Sequence, residues 1–172
     1  MRKKILSLIA CLGMGMACYA QVAEPLWMRG GVISPDGNSI AFSYMGNIYT
    51  VPSAGGEAKQ LTTNASYDGH PMWSPDGSMM AFCSNREGSL DVFIMSATGG
   101  KAERVTTHSF NEYPAGWLGN DTLLIRRAGN PTVSELTFPG STFTRLYKVA
   151  KSGGRQTLFS AISMDHLSMA SD

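Results

Sequence analysis

Ser34-Pro35-Asp36-Gly37, followed by Ile40-Ala41-Phe42, returns as Ser74-Pro75-Asp76-Gly77, followed by Met80-Ala81-Phe82. The echo continues downstream. Asn47-Ile48-Tyr49 answers to Asp91-Val92-Phe93, Gly55-Gly56 to Gly99-Gly100, and Leu61-Thr62 to Val105-Thr106. The offset is 40 residues as far as Phe42 and 44 from Asn47 onward. A period of this length, made of short apolar runs and glycine turns, marks the blade of a β-propeller.

Each copy holds four short strand candidates between turn signals. In the second copy they are Pro71–Ser74, Met80–Ser84, Asp91–Met95 and Glu103–Thr106. A propeller sheet is covered on both faces by its neighbours, so its strands can be apolar at successive positions. Val92-Phe93-Ile94-Met95 reads that way. The turns have a mechanism. In Ser-Pro-Asp-Gly, proline fixes φ at the first central position and aspartate suits the second. Glycine accepts the left-handed conformation that follows. This predicts a tight hairpin between first and second strands, with a bulge at Gly37 and Gly77. Gly55-Gly56 and Gly99-Gly100 are expected to turn the chain between third and fourth strands.

A third copy is degraded. Trp117-Leu118-Gly119-Asn120-Asp121 stands where Trp73-Ser74-Pro75-Asp76-Gly77 stood, and Leu123-Leu124-Ile125 replaces Met80-Ala81-Phe82. An insertion then runs from about Arg127 to Phe143, and the pattern resumes at Leu146-Tyr147-Lys148-Val149 with Gly153-Gly154. A fourth copy begins near Ser163-Met164-Asp165-His166. The link between second and third strands lengthens from copy to copy. In a four-stranded antiparallel blade these links share one face of the disc. That face is elaborated, the Ser-Pro-Asp-Gly face is plain, and long loops on a rigid scaffold are where binding tends to sit.

The first 20 residues read as an address. Arg2-Lys3-Lys4 precede an apolar run from Ile5 to about Met16, and Cys18-Tyr19-Ala20 offers a small-x-small cleavage pattern before Gln21. This is a secretory signal peptide, too short in its apolar part for a membrane span. A lipoprotein signal at Cys11 or Cys18 is the lesser alternative. Cleavage leaves 152 residues with 11 basic and 13 acidic side chains, a net charge of −2. That balance argues against nucleic acid and anionic membrane surfaces as partners. Cys83 is then the lone cysteine, at the position of Ser43 in the first copy, and is expected to be a small buried side chain.

The expected fold is therefore all-β: propeller blades of four antiparallel strands. A signal peptide at 1–20 precedes a partial propeller at 21–172. Its blades fall at about 25–63, 64–107 and 108–159, with the start of a fourth at 160–172. At about 42 residues each this is some three and a half blades, whereas closed propellers have at least four. A half-blade leaves an apolar face and a strand edge open, which implies downstream sequence that completes the ring.

Local chemistry is sparse. Gly37-Asn38-Ser39-Ile40-Ala41 fails as a nucleophile elbow at its last position. Gly99-Gly100-Lys101 lacks the other residues of a phosphate loop. His70, His108 and His166 lie far apart in sequence, with no spacing that suggests a metal, and no cofactor is implied. No catalytic residue is assigned. Two places are candidates for binding. Asp68-Gly69-His70-Pro71 leads into the first strand of the second blade, beside the central channel, where Asp68 and His70 would line it or touch a ligand. Arg126-Arg127 opens the insertion and is suited to a peptide carboxylate. For both places a purely structural role is the competing reading. Trp73 and Trp117, at equivalent blade positions, are expected to fill gaps between sheets.

Taken together, Trp73-Ser74-Pro75-Asp76-Gly77, Ala81-Phe82, Asp91-Val92-Phe93, Gly99-Gly100 and Arg104-Val105-Thr106 resemble the WD-repeat-like propeller repeats shared by TolB and the tricorn protease family. Pro25-Leu26-Trp27-Met28-Arg29, Glu135-Leu136 and Phe143-Thr144-Arg145-Leu146-Tyr147 are similar to exported bacterial tricorn-like proteins. The resemblance implies propellers that precede a PDZ domain and a serine peptidase core. The propeller would act as a gate or filter for peptides, and the nucleophile would be far downstream. No residue here matches the family's catalytic motifs. The implied partners are peptides or unfolded protein segments and the downstream domains of the same chain, in the periplasm or outer envelope. The alternatives are a TolB-like propeller that binds envelope proteins without catalysis, and the propeller of a prolyl oligopeptidase-like enzyme.

Overall fold

Twelve strands carry the fold in the computed structural model, which describes residues 27–128 and 144–160. The expected signal peptide, residues 129–143 of the insertion and the start of a fourth copy at 161–172 lie outside the described residues. The strands are β1 (Arg29–Ile33), β2 (Ser39–Tyr44), β3 (Asn47–Pro52), β4 (Lys59–Gln60), β5 (Asp68–Trp73), β6 (Met79–Ser84), β7 (Asp91–Ser96), β8 (Glu103–Arg104), β9 (Glu112–Leu118), β10 (Thr122–Ala128), β11 (Thr144–Ala150) and β12 (Thr157–Ser160). They form three four-stranded antiparallel sheets, each a meander of consecutive strands. β1 contacts β5, and β5 contacts β9, so the first strand of each blade is the innermost.

The Ser-Pro-Asp-Gly turns are built twice over. Gly37 N–H donates to the Ser34 carbonyl at 2.9 Å and Gly77 N–H to that of Ser74 at 2.9 Å. With that carbonyl taken, the ladder closes through the serine side chain. Ser39 N–H donates to Ser34 Oγ, and Met79 N–H to Ser74 Oγ, each at 2.9 Å. Gly37 and Gly77 sit at φ +75° and +71°, the left-handed region that glycine enters without a Cβ clash. The register irregularity is not at these glycines, as the sequence suggested. It falls further back, between Arg29 and Val32 in β1 and between Gly69 and Met72 in β5.

Successive apolar residues serve two seams. Met80 and Phe82 of β6, with Phe93 and Met95 of β7, pack against Ala41, Ile48 and Leu61 of the first blade. The intervening Ala81, Val92 and Ile94 pack against Trp117, Leu123, Ile125 and Val149 of the third. Both faces of the second sheet are thus dry, and an alternating polar pattern would have left one seam without adhesion. Phe82 and Phe93 stack across the β6–β7 pair at 6.0 Å. Emptying the Phe82 site to alanine should cost about 3–5 kcal/mol. Trp73 crosses to the first blade and donates its indole N–H to the Val32 carbonyl at 3.3 Å.

β8 is shorter than the run Glu103–Thr106 suggested, because a side chain ends the ladder. Thr106 Oγ accepts the Val92 N–H at 2.9 Å. In the first blade, Thr62 Oγ accepts the Ile48 N–H at 2.9 Å. This repeated substitution of a hydroxyl for a carbonyl explains the recurring Leu-Thr and Val-Thr steps. Cys83 is buried beside it all, and burial pushes its thiol up to about 12.

Candidate functional site

Antiparallel order places the starts of β5, β7 and β9 on one face of the disc, together with the links between second and third strands. This is the loop face, and backbone bonds knit it from blade to blade. Asp68 N–H donates to the Gly46 carbonyl at 2.8 Å, and Glu112 N–H to that of Leu90 at 2.7 Å.

A fully buried carboxylate stands at each of the three strand starts, and each is met by an arginine. Asp68 takes Arg86 at 3.0 and 3.2 Å and Asn64 Nδ2 at 2.6 Å. Asp91 takes Arg104 at 2.7 Å through one oxygen, while its Oδ1 has no partner among the described residues. Burial pushes the Asp91 carboxyl up, and Arg104 opposes that shift. Glu112 takes the Arg127 Nε at 2.7 Å, with a second guanidinium nitrogen on the same oxygen. Arg127 also lies 4.2 Å from the Tyr147 ring centroid and is 8% exposed. Each pair lies within one blade and ties its strands together, because losing the arginine would strand a charge on a fully buried carboxylate.

The sequence grouped Asp68 with His70 and Arg126 with Arg127, and the structure regroups them. Asp68 and Arg127 belong to the buried pairs. Arg126 and Arg127 sit within β10, ahead of the inserted stretch. His70 and Arg126 come together across the second seam through Tyr113, a residue that the sequence reading did not single out. The His70 ring meets the Tyr113 ring edge-on at 5.2 Å and 74°. The Arg126 guanidinium lies 5.3 Å from the same ring's centroid. Desolvation, and then Arg126, hold the His70 imidazole below its usual range.

His70 is exposed on the innermost strand with φ +53°. A non-glycine residue there carries local strain. Its counterpart in β1 is Gly30 at φ +62°. The two backbones lie close: a Cβ on Gly30 would stand 3.9 Å from the His70 Cα. Next along β1 comes Arg29, exposed, its guanidinium 5.6 Å from the Trp27 ring centroid. Trp27, Arg29 and Tyr67, with Ser43, Met45 and Gly46, line a cavity of about 440 Å³. Tyr67 packs over Gly69, where a Cβ would fall 2.5 Å from its hydroxyl. Burial raises the Tyr67 phenol, and Arg29 acts in the opposite sense.

The repeat itself signals only the ring pair Trp27 and Tyr67, since the residues aligned with Tyr113 differ in type. The 40-residue offset aligns Trp27 with Tyr67. The 40- and 44-residue offsets together align Arg29, Gly69 and Tyr113. No grouping of three or more His, Cys, Asp or Glu suited to a metal occurs among the described residues. No helix among them is long and apolar enough to cross a membrane.

Residues 27–172 match the tricorn protease N-terminal β-propeller domain. The chain belongs to that family. It is 30% identical over 105 residues to tricorn protease homolog 1 of Streptomyces coelicolor, covering 60% of this chain and 10% of the homologue. It is 34% identical over 84 residues to an uncharacterized peptidase of Bacillus subtilis, covering 42% of this chain and 13% of the peptidase. A putative TolB structure from Agrobacterium tumefaciens superposes with a TM-score of 0.66 at 21% identity, over 78% of this chain and 50% of that one. The fold is thus the one shared by tricorn-like and TolB-like proteins, and this tricorn-type propeller segment spans a small part of the curated relatives.

Proposed function

We propose that this tricorn-type segment is the non-catalytic propeller portion of an exported serine peptidase, and that the loop-face end of its channel binds or admits extended peptides. The observation that carries the reading is the cluster of His70, Tyr113 and Arg126 on innermost and adjoining strands, beside the Trp27–Tyr67 cavity. Rings and guanidinium groups on rigid strands suit an extended chain. The rings offer apolar area at little entropic cost, and the guanidinium groups offer directed donors. Residues 1–20 would direct the protein to the periplasm or outer envelope. Chemistry would reside in sequence beyond this segment.

The test compares the parent protein, read to its natural stop codon, with residues 21–172 alone on unstructured fluorogenic peptides. Hydrolysis by the parent and none by the segment is the expected result. Hydrolysis by the segment itself would refute the non-catalytic role. A parent with no activity would favour a second reading, a TolB-like propeller that binds envelope proteins. The likeness in fold to the TolB structure supports that reading.

A further inference from the structure

The arginines of the loop face divide by what they touch. Arg86, Arg104 and Arg127 each end on a buried carboxylate. Arg29 and Arg126 do not. Arg29 lies over Trp27 and Arg126 over Tyr113, and neither meets a carboxylate among the described residues. They stand on either side of His70: Gly30, next to Arg29, touches the His70 backbone, and Tyr113 joins the His70 ring to Arg126. The acids beside His70 and Tyr113 along the chain, Asp68 and Glu112, are fully buried and already bonded. The inner edge of the loop face therefore carries two guanidinium groups, each over an aromatic ring, with no acid among the described residues to neutralise them.

A guanidinium over an aromatic ring leaves its N–H donors, which lie in its own plane, free for a second partner, and the contact limits the rotamer freedom left to lose when one arrives. We infer that Arg29 and Arg126 form a two-point anion site that selects extended peptides by their acidic side chains, with Trp27, Tyr67 and Tyr113 as apolar walls. This rests on the reading of the channel mouth as a peptide site and adds the class of peptide. Carboxylates on alternate residues of an extended segment point the same way and recur about every 7 Å. Two guanidinium groups, on the first and third blades with His70 of the second between them, can meet two side chains of such a segment without a free terminus.

The experiment uses the full-length parent and fluorescence anisotropy with labelled octapeptides amidated at the C-terminus. One peptide carries Glu at alternate positions, a second Gln there, and a third Lys. A fourth is the Gln peptide with a free C-terminal carboxylate. The Glu peptide should bind about tenfold more tightly than the Gln peptide at low salt, and the gap should narrow as salt screens it. Arg29→Gln and Arg126→Gln should each shrink that gap several-fold, and together abolish it. Arg155→Gln, an exposed site after the Gly153-Gly154 turn on the opposite face, should leave it intact.

Equal binding of the Glu and Gln peptides would overturn the inference, as would a preference for Lys. So would a gap that survives the double variant, or a free terminal carboxylate that gains as much as the Glu side chains. Hydrolysis by the parent separates the two readings. A parent that cleaves neutral peptides but shows no charge preference keeps the peptidase role and loses the acidic-peptide site. A parent that cleaves nothing yet keeps the preference does the reverse.

Discussion

Arg126 and Arg127 are neighbours in one strand, yet the pleat gives them opposite fates. Arg127 turns into the sheet and meets the fully buried Glu112, whereas Arg126 turns to the half-exposed edge and rests on Tyr113. Arg127→Met would leave Glu112 charged and unpaired in a dry seam, which costs on the order of 3–5 kcal/mol. Arg126→Gln removes a surface guanidinium and should change stability by no more than about 0.5 kcal/mol. Urea unfolding of the two variants side by side checks this, and equal losses would contradict the division of roles. The sequence singled out both arginines but not Glu112, the acid that takes one of them. Which residue of β9 stands opposite each arginine depends on a register irregularity in which β9 carries one extra residue, Ala115, between the pairs Leu124–Gly116 and Ile125–Pro114. The sequence held no signal for that shift. By contrast, the ring positions of Trp27 and Tyr67 coincide at the 40-residue offset, so lining up the copies shows them, whereas Tyr113 aligns with Gly69 and Arg29 and carries no such signal.

The blade's turns were largely legible, since proline, aspartate and glycine occur in the order that the backbone conformation requires. A second duty of the glycine pairs was not. Gly99 sits at φ +93° against the first blade, where a Cβ would stand 3.4 Å from Leu61 Cδ2. Gly153 repeats this at φ +83° against the second blade, 3.2 Å from the Val105 carbonyl oxygen. In the second and third blades the first glycine of the pair therefore lets its turn lie against the end of the preceding blade's fourth strand, whereas Gly55 of the first blade has open space around it. The following Gly100 and Gly154 also have positive φ, at +117° and +102°, but open space around them. Alanine at Gly153 adds crowding against a backbone atom to the cost of left-handed φ, and about 2 kcal/mol is expected. Alanine at Gly154 meets the φ cost alone and should lose less. Thermal denaturation of the pair reads the difference, and a Gly154 variant that proved the weaker would refute the close-approach argument.

At the scale of the whole molecule, burial on both faces follows from apolar residues at successive positions, and the second blade fulfils it on each side. The flanking blades do so only on their inner sides. Ile33 is 63% exposed on β1, and Leu158 and Phe159 are 54% and 49% exposed on β12. Phe42 of the first blade is sheltered, with Tyr49 stacked on it at 5.8 Å and Tyr44 meeting Tyr49 edge-on at 6.0 Å. What covers these outer surfaces is not written in the residues that form them, since an apolar side chain specifies burial and not the identity of its neighbour. Left to itself, a sheet with large apolar groups at its border adheres to another such sheet. Residues 21–172 on their own should therefore associate with increasing concentration. Ile33→Lys combined with Phe159→Lys should return them to monomers with the strand content unchanged, because both side chains already face water. Sedimentation velocity over a hundredfold range of concentration, with circular dichroism on the same samples, makes the measurement. A monomeric segment that unfolds cooperatively at every concentration would show that the outer faces need no cover, and would count against the expectation that further blades close the ring.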